Sequence, residues 1–279
     1  MNNTKYSVLM SIYHKEKPNY FVESIESMLR QTVKPDEIVI VKDGPLTSEL
    51  DKIIDRYKKQ APDIFTIVTL RKNLGLGLAL NEGLRKCRNE LVARMDTDDI
   101  SLENRCELQI IEFVRNPDLC IVGTWTNEFY DDPSNIITSR IVPEKHDEIV
   151  KFSKRRSPFN HPTVMYKKSA VLACGGYGDV LRKEDLDLFI RMLQNGCLSK
   201  NIPKPLLLYR SNKENFKRRK TWINCKNYIS VIYKSWIRGY SSIIDLIVVI
   251  IGQIVMFLSP VWLLKILSNN LLRKKGSRG

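Results

Sequence analysis

Histidine is scarce, at three in 279 residues, and the six cysteines (87, 106, 120, 174, 197 and 225) are scattered. There is no C-x-x-C pair and no Cys/His cluster at zinc spacing. That excludes zinc-finger, zinc-ribbon and thioredoxin-type chemistry and predicts reduced thiols packed in the interior. The opening MNNTKYSVLMSIY holds an apolar stretch too short for a signal-peptide core and no cleavage site, so the front of the chain is expected on the cytoplasmic side. LGLGLAL (74–80) lacks the third glycine of a dinucleotide fingerprint, and no acidic residue follows at a second strand end. This counts against a dehydrogenase and predicts a close strand-to-helix turn. No internal repeat, low-complexity linker or aromatic-plus-basic stacking motif is present.

Negative charge is nearly missing from the rear. From Lys213 to Gly279 thirteen Lys/Arg face only Glu214 and Asp245, so this segment carries +11 of the formal +14. Residues 1–212 are left close to neutral, at +3. A basic segment attracts nucleic acid or anionic lipid. The twenty-two residues LIVVIIGQIVMFLSPVWLLKIL (246–267) carry one charge, a run that lipid-facing segments require and nucleic-acid tails seldom hold. The expected partner is a membrane and not nucleic acid.

What is there in the front is alternation. KYSVLMSIY (5–13), EIVIVKDG (37–44), 64–70 and LVARM (91–95) read as buried strands; 18–31, 47–60 and 76–87 read as helices. Strands alternating with helices predict an α/β fold built of βαβ units, a mostly parallel sheet flanked by helices. A helix over 101–116 and a strand over 119–125 follow, then shorter strands and loops with a helix near 144–153. A helix over 184–195 and a strand over 198–210 close the domain. Two parts are expected: a nucleotide-binding domain, 1–212, and a basic, apolar, helical membrane-associating tail, 213–279.

In such sheets ligands sit beyond the carboxyl ends of the strands. The residues there are Tyr13 and His14, Asp43 and Gly44, Arg71 to Gly75, and Asp96 to Asp99. ARMDTDD (93–99) places three carboxylates within four residues, which a fold keeps together mainly when a cation compensates them. Oxygen ligands at a strand end suit Mn²⁺ or Mg²⁺ on a phosphate. The bland reading is that Asp99 or Ser101 caps the next helix. In KEDLDLFIRM (183–192), Asp185 and Asp187 either complement a helix dipole or supply a base for a hydroxyl proton. RRSPFNHPTVMY (155–166) offers His161 before Pro162, either a substrate contact or a structural turn. Arg155 and Arg156 either pair with a lipid diphosphate or are solvated.

The ordered set SVLMSIY, VIVKDG, RKNLGLGLALNEGL, ARMDTDD and KEDLDLFIR resembles the family 2 inverting glycosyltransferases of bacterial O-antigen and capsular polysaccharide assembly, which have the GT-A fold. The resemblance covers about residues 5–210. It implies that Asp43 contacts the uracil and that Arg71, Asn73 and Gly75 line the nucleotide pocket, with Tyr13 beside them. It implies that Asp96 and Asp98 touch the ribose and hold the metal on the diphosphate. Asp185 is then the catalytic base, with Glu184, His161 and Arg156 on the acceptor side. The Q-x-x-R-W motif of processive members is absent, which implies one sugar per cycle.

The expected activity is therefore transfer of one hexose from UDP-galactose or UDP-glucose to a polyprenyl-diphosphate-linked sugar, giving a β-linkage, at the cytoplasmic face of the bacterial inner membrane. The alternative is a non-catalytic, membrane-associated nucleotide- or lipid-binding protein whose acidic loop only holds a cation. Residues 246–267 are long enough to span a bilayer, yet both flanks are basic and Gly252 and Pro260 interrupt the run. An in-plane or re-entrant anchor is expected, with a single span or a buried helix pair as the other readings.

Overall fold

The computed structural model describes residues 4–211 and 220–259. The first strands are largely apolar because both faces of the sheet are covered, least so at β3. Strands β1 (Tyr6–Ile12), β2 (Glu37–Lys42), β3 (Phe65–Thr69) and β4 (Leu91–Arg94) run parallel in the order β3-β2-β1-β4. Along β1 the period of two sends Tyr6, Val8, Met10 and Ile12 to one core and Leu9 to the other. The first core is closed by α1 (Pro18–Leu29), α2 (Ser48–Gln60) and α4 (Arg105–Arg115). The second is closed by α3 (Leu76–Lys86), α5 (His146–Ser153), α6 (Lys168–Ala173) and α7 (Glu184–Gln194).

Local signals set the helix limits. Pro18 opens α1, where its missing N–H costs nothing, and Phe21, Ile25 and Met28 follow at helical spacing on the buried face. Thr47 caps α2 by accepting a hydrogen bond from the Leu50 amide. Glu49 and Asp51 in its first turn and Lys58 and Lys59 in its last complement the dipole.

The parallel alternation ends at β4. Strand β8 (Met165–Lys167) enters beside it antiparallel, and β6 (Leu119–Phe129) pairs antiparallel with β8. Strand β9 (Leu198–Arg210) then runs parallel to β6. A two-residue strand β5 (Ile100–Ser101) pairs with β9, and β7 (Thr138–Arg140) pairs with β6. The expected helix start at 101 is thus four residues early. Gln31 donates to Ser101 Oγ at 3.1 Å and to the Leu102 carbonyl at 2.8 Å, which holds this segment extended, and α4 starts at Arg105.

Beyond the sheet lies a helical hairpin, α8 (Trp222–Ile237) and α9 (Ile243–Leu258). Ser242 and Asp245 form a capping box at the start of α9. Val231, Ile232, Leu246 and Val249 pack on Leu186 and Ile190 of α7, a third core. The opposite face of the hairpin is apolar and exposed, including Trp222, Trp236, Ile244, Ile247, Ile251 and Leu258. Among the described residues no helix is long and apolar enough to cross a membrane. The second part of the 246–267 run, from Pro260 on, lies outside the described residues, as do the basic residues of 213–219 and 273–278.

Candidate functional site

The carboxyl ends of β1, β2 and β4 open onto a cleft of about 560 Å³. Tyr13, Asp43, Asn73, Gly75, Asp96 and Asp98 all line it, so most of the predicted donor-side residues meet in one place. Arg71 is exposed and does not line it. A second cavity of about 500 Å³ shares Tyr13 and Gly75 with the first and extends to Gly178, Leu181 and Glu184.

The turn after β3 is organised by Asp43. Its carboxylate oxygens accept from the amides of Leu74, at 2.7 Å, and Gly75, at 3.1 Å, while Asn73 Nδ2 donates to its carbonyl at 3.2 Å. Gly75 sits at φ 86°, a left-handed conformation, directly before α3. This is the close strand-to-helix turn expected of LGLGLAL. Asp43 therefore fixes the loop as well as facing the cleft.

The acidic trio is tight. One carboxylate oxygen from each of Asp96, Asp98 and Asp99 lies within 4.8 Å of the others. Burial, with the Asp96 charge adding to it, pushes Asp98 up to about 6. Asp99, fully buried beside both neighbours, is pushed well above the usual carboxylate range. Asp99 caps no helix: Oδ1 accepts from the Arg210 amide at 2.8 Å and Oδ2 has no partner among the described residues. Crowded, under-compensated carboxylates with an all-oxygen donor set fit a hard divalent cation that shares a phosphate. Asp96 and Asp98, which face the cleft, are the residues that would hold it.

On the other side, Glu184 and Asp185 open α7. Glu184 lines the second cavity; burial, with the Asp185 charge next, pushes it up to about 7. Asp185 is half-buried beside it. Asp187 is not free for catalysis: it pairs with Arg191 at 2.7 Å one turn on. Gly77 brings α3 against this pair, since a Cβ there would fall 2.9 Å from that of Glu184.

His161 starts a 3₁₀ turn (His161–Thr163), and its Nε2 lies 3.0 Å from the Tyr177 hydroxyl. Burial and the nearby Arg94 charge hold its pKa well below the usual value, so the ring is neutral. Arg156 is exposed and lies over the Phe152 ring. Arg155 is not left for a phosphate, because Asp245 of α9 pairs with it at 2.5 Å.

Sequence reasoning missed Arg94 and Arg210. Arg210, at the end of β9, lines the cleft, donates from Nε to the Asp98 carbonyl at 2.9 Å and pairs with Glu23. Its one sequence signal was its position at a strand end. Arg94 stood inside the ARMDTDD motif, masked by the acids that follow it.

The chain matches the family model for glycosyl transferase family 2 over residues 7–183. It is 40% identical to the UDP-Gal:alpha-D-GlcNAc-diphosphoundecaprenol beta-1,3-galactosyltransferase of Escherichia coli, covering 92% of both chains. It is 38% identical to the amylovoran biosynthesis glycosyltransferase AmsE of Erwinia amylovora, over 80% of this chain and 81% of that one. Among solved structures it is similar to the mannosyltransferase PcManGT from Pyrobaculum calidifontis in complex with GDP-Man and Mn²⁺. The TM-score is 0.64 at 15% identity, over 91% of this chain and 70% of that one. That likeness carries the fold, a GT-A-type α/β fold.

Proposed function

Because the chain belongs to glycosyl transferase family 2, and is a glycosyltransferase, we propose that it moves galactose from UDP-galactose to a polyprenyl-diphosphate-linked sugar, one residue per cycle, with inversion to a β-linkage. The observation that carries this reading is the 40% identity, across 92% of both chains, to an enzyme of that donor and acceptor class. The site supports it, since a carboxylate-lined cleft suited to a nucleoside diphosphate adjoins a second cavity lined by Glu184, with Asp185 next to it in the chain.

In this reading UDP lies in the first cleft, its base toward Asp43 and Asn73 and its diphosphate toward Asp96 and Asp98. A Mn²⁺ or Mg²⁺ ion held there would neutralise charge on the departing diphosphate. The acceptor enters through the second cavity. Its hydroxyl oxygen bonds to the anomeric carbon as the bond from that carbon to the diphosphate oxygen breaks. Asp185 takes the hydroxyl proton, and UDP leaves with the electron pair. Attack opposite the leaving group turns an α-linked donor into a β-glycoside. In the same reading the neutral His161 and exposed Arg156, which line neither cavity, belong to the acceptor side, and Arg71 to the outer rim of the nucleotide.

The hairpin supports a place on the cytoplasmic leaflet of the inner membrane. Its exposed face is apolar, and Lys226, Lys234 and Arg238 accompany it, as an in-plane anchor at an anionic surface requires.

The test is transfer from labelled UDP-galactose to a synthetic α-GlcNAc-diphospholipid with Mn²⁺ or Mg²⁺. The expected product is a β-linked disaccharide, with UDP released in equal amount and none formed in EDTA. Turnover with UDP-glucose and none with UDP-galactose would correct the donor; no transfer from any UDP-sugar would overturn the reading.

A further inference from the structure

Arg94 ends β4 with its side chain wholly buried. The carboxylate of Asp96 lies 2.5 Å from Nη1. Among the described residues that contact is its one charge partner, and Nε and Nη2 have no hydrogen-bond partner. A wholly buried cation with one carboxylate partner and two unpartnered nitrogens is costly, and an apolar residue would pack a strand end better. A charge placed there can do work at the acidic trio it pairs with.

The surroundings show which work. On one side is Asp96, the first acid of the trio. On the other are the hydroxyls of Tyr177 and Tyr166, 3.4 Å apart, with His161 Nε2 3.0 Å from that of Tyr177. Arg94 acts electrostatically on both tyrosines and on His161, and Tyr177 in turn interacts with Asp185 and Glu184. The backbone is fixed to match. Arg105 Nη1 donates to the carbonyls of Arg94, at 3.1 Å, and Pro162, at 2.7 Å, tying the strand end to the His161 turn. Asn81 of α3 holds Tyr177 through two bonds, to its carbonyl at 2.8 Å and from its amide at 2.7 Å.

We propose that Arg94 is the positioning residue joining the two halves of the site: it fixes the Asp96 carboxylate toward the nucleotide and, through Tyr177 and His161, sets the loop that delivers the Glu184–Asp185 pair. Its guanidinium keeps its charge when wholly buried and so acts on both sides electrostatically, whereas a buried lysine shifts its pKa readily. This rests on the donor reading above, and Arg94 touches neither donor nor acceptor.

The experiment measures UDP binding with Mn²⁺ by calorimetry, steady-state kcat and KM, and the melting temperature of the full chain and its variants. Arg94→Gln should weaken UDP–Mn²⁺ binding and lower kcat, each by about 10–100-fold, the usual cost of removing a partner that orients a ligand group. Arg94→Lys should recover most of the binding and little of kcat. Combined with Asp96→Asn, Arg94→Gln should add nothing further to the loss of binding, because it acts through that carboxylate. Tyr177→Phe keeps the ring and should lower kcat while leaving UDP–Mn²⁺ binding unchanged, and it serves where Arg94→Gln does not fold. A folded Arg94→Gln protein with binding and kcat within about twofold of the parent would overturn the proposal, as would full additivity with Asp96→Asn. So would a Tyr177→Phe protein with unaltered kcat. A parent protein that binds no UDP at any Mn²⁺ concentration would overturn the donor reading along with it.

Discussion

Glu184 and Asp185 are neighbours in sequence but differ in surroundings, and the difference gives each its own test. Asp185 is half-buried next to Glu184, which lines the second cavity, whereas Asp187, two positions on, is held by Arg191. Asp185→Asn keeps shape and removes basicity, so kcat should fall by roughly 10² or more while UDP affinity barely moves. Asp187→Asn should instead lower the melting temperature, because it leaves the partly buried Arg191 guanidinium without its carboxylate. If the loss of kcat fell on Glu184→Gln and spared Asp185→Asn, the base would be Glu184. Glu184 also carries a pH signature. Its pKa rises from the ordinary 4.5 to about 7 on folding, chiefly through burial. A raised acid stabilises the fold fully below its unfolded pKa, and that contribution is lost as pH rises through the folded value. From about pH 5 to about pH 7.5 the parent should therefore lose more stability than Glu184→Gln, by about 2 kcal/mol, and its melting temperature should fall further accordingly. Equal slopes in the two proteins would remove the claim that Glu184 is held protonated by burial.

At the scale of elements, the tight contact is between α3 and the head of α7. Gly77 lies under Glu184, and a Cβ there would also fall 3.0 Å from the Gly178 carbonyl, a backbone atom that yields little. Gly77→Ala should displace the acid pair and cut kcat by about tenfold or more with little effect on UDP binding, since a small misplacement of reacting groups is costly. Unchanged kinetics would show that α7 adjusts freely. The same elements mark how far the sequence could be read. Apolar runs and turn glycines revealed β1 to β4 and α1 to α3 within one or two residues at each end, because these elements bury continuous faces. The strand-end rule then brought Tyr13, Asp43, Asn73, Gly75, Asp96 and Asp98 to one cleft. What stayed hidden depends on distant partners. Strand β5 exists because Gln31 binds Ser101 and Leu102 across seventy residues of chain, and no local pattern reports that. The antiparallel entry of β8 has the same cause, as does the capture of Arg155 by Asp245. Arg94 and Arg210 were obscured because a buried arginine has no periodicity of its own.

The whole molecule joins the hairpin to the catalytic half more firmly than a division at residue 212 suggests. Helices α8 and α9 cover Leu186 and Ile190 of α7, the helix headed by Glu184 and Asp185. Asp245 holds Arg155, and the Tyr228 hydroxyl donates to the Arg155 carbonyl at 2.9 Å, at the start of the loop that reaches His161. Truncation after Ser211 should therefore do more than release the protein from membranes. It should uncover α7, lower the melting temperature and reduce kcat even on a water-soluble acceptor. Membrane attachment is separable by a smaller change on the opposite face. Ile244 and Ile251 are 63% and 56% exposed. Each side chain moved from water into lipid is worth about 1.5–3 kcal/mol, and each nearby Lys/Arg adds about 1 kcal/mol at an anionic leaflet. The double variant Ile244→Glu, Ile251→Glu should keep the melting temperature and activity on a short-chain acceptor. It should no longer sediment with phosphatidylglycerol vesicles and should lose activity on acceptor embedded in them. The parent should stay on those vesicles at about 1 M salt, where charge attraction is screened within about 3 Å but apolar burial is not. A parent protein stripped by salt alone would make attachment purely electrostatic. A double variant that still sediments would place the lipid contact elsewhere on the chain. Either result would leave the carboxylate-lined cleft and its transfer chemistry untouched, because no residue of that argument lies on the exposed face of the hairpin.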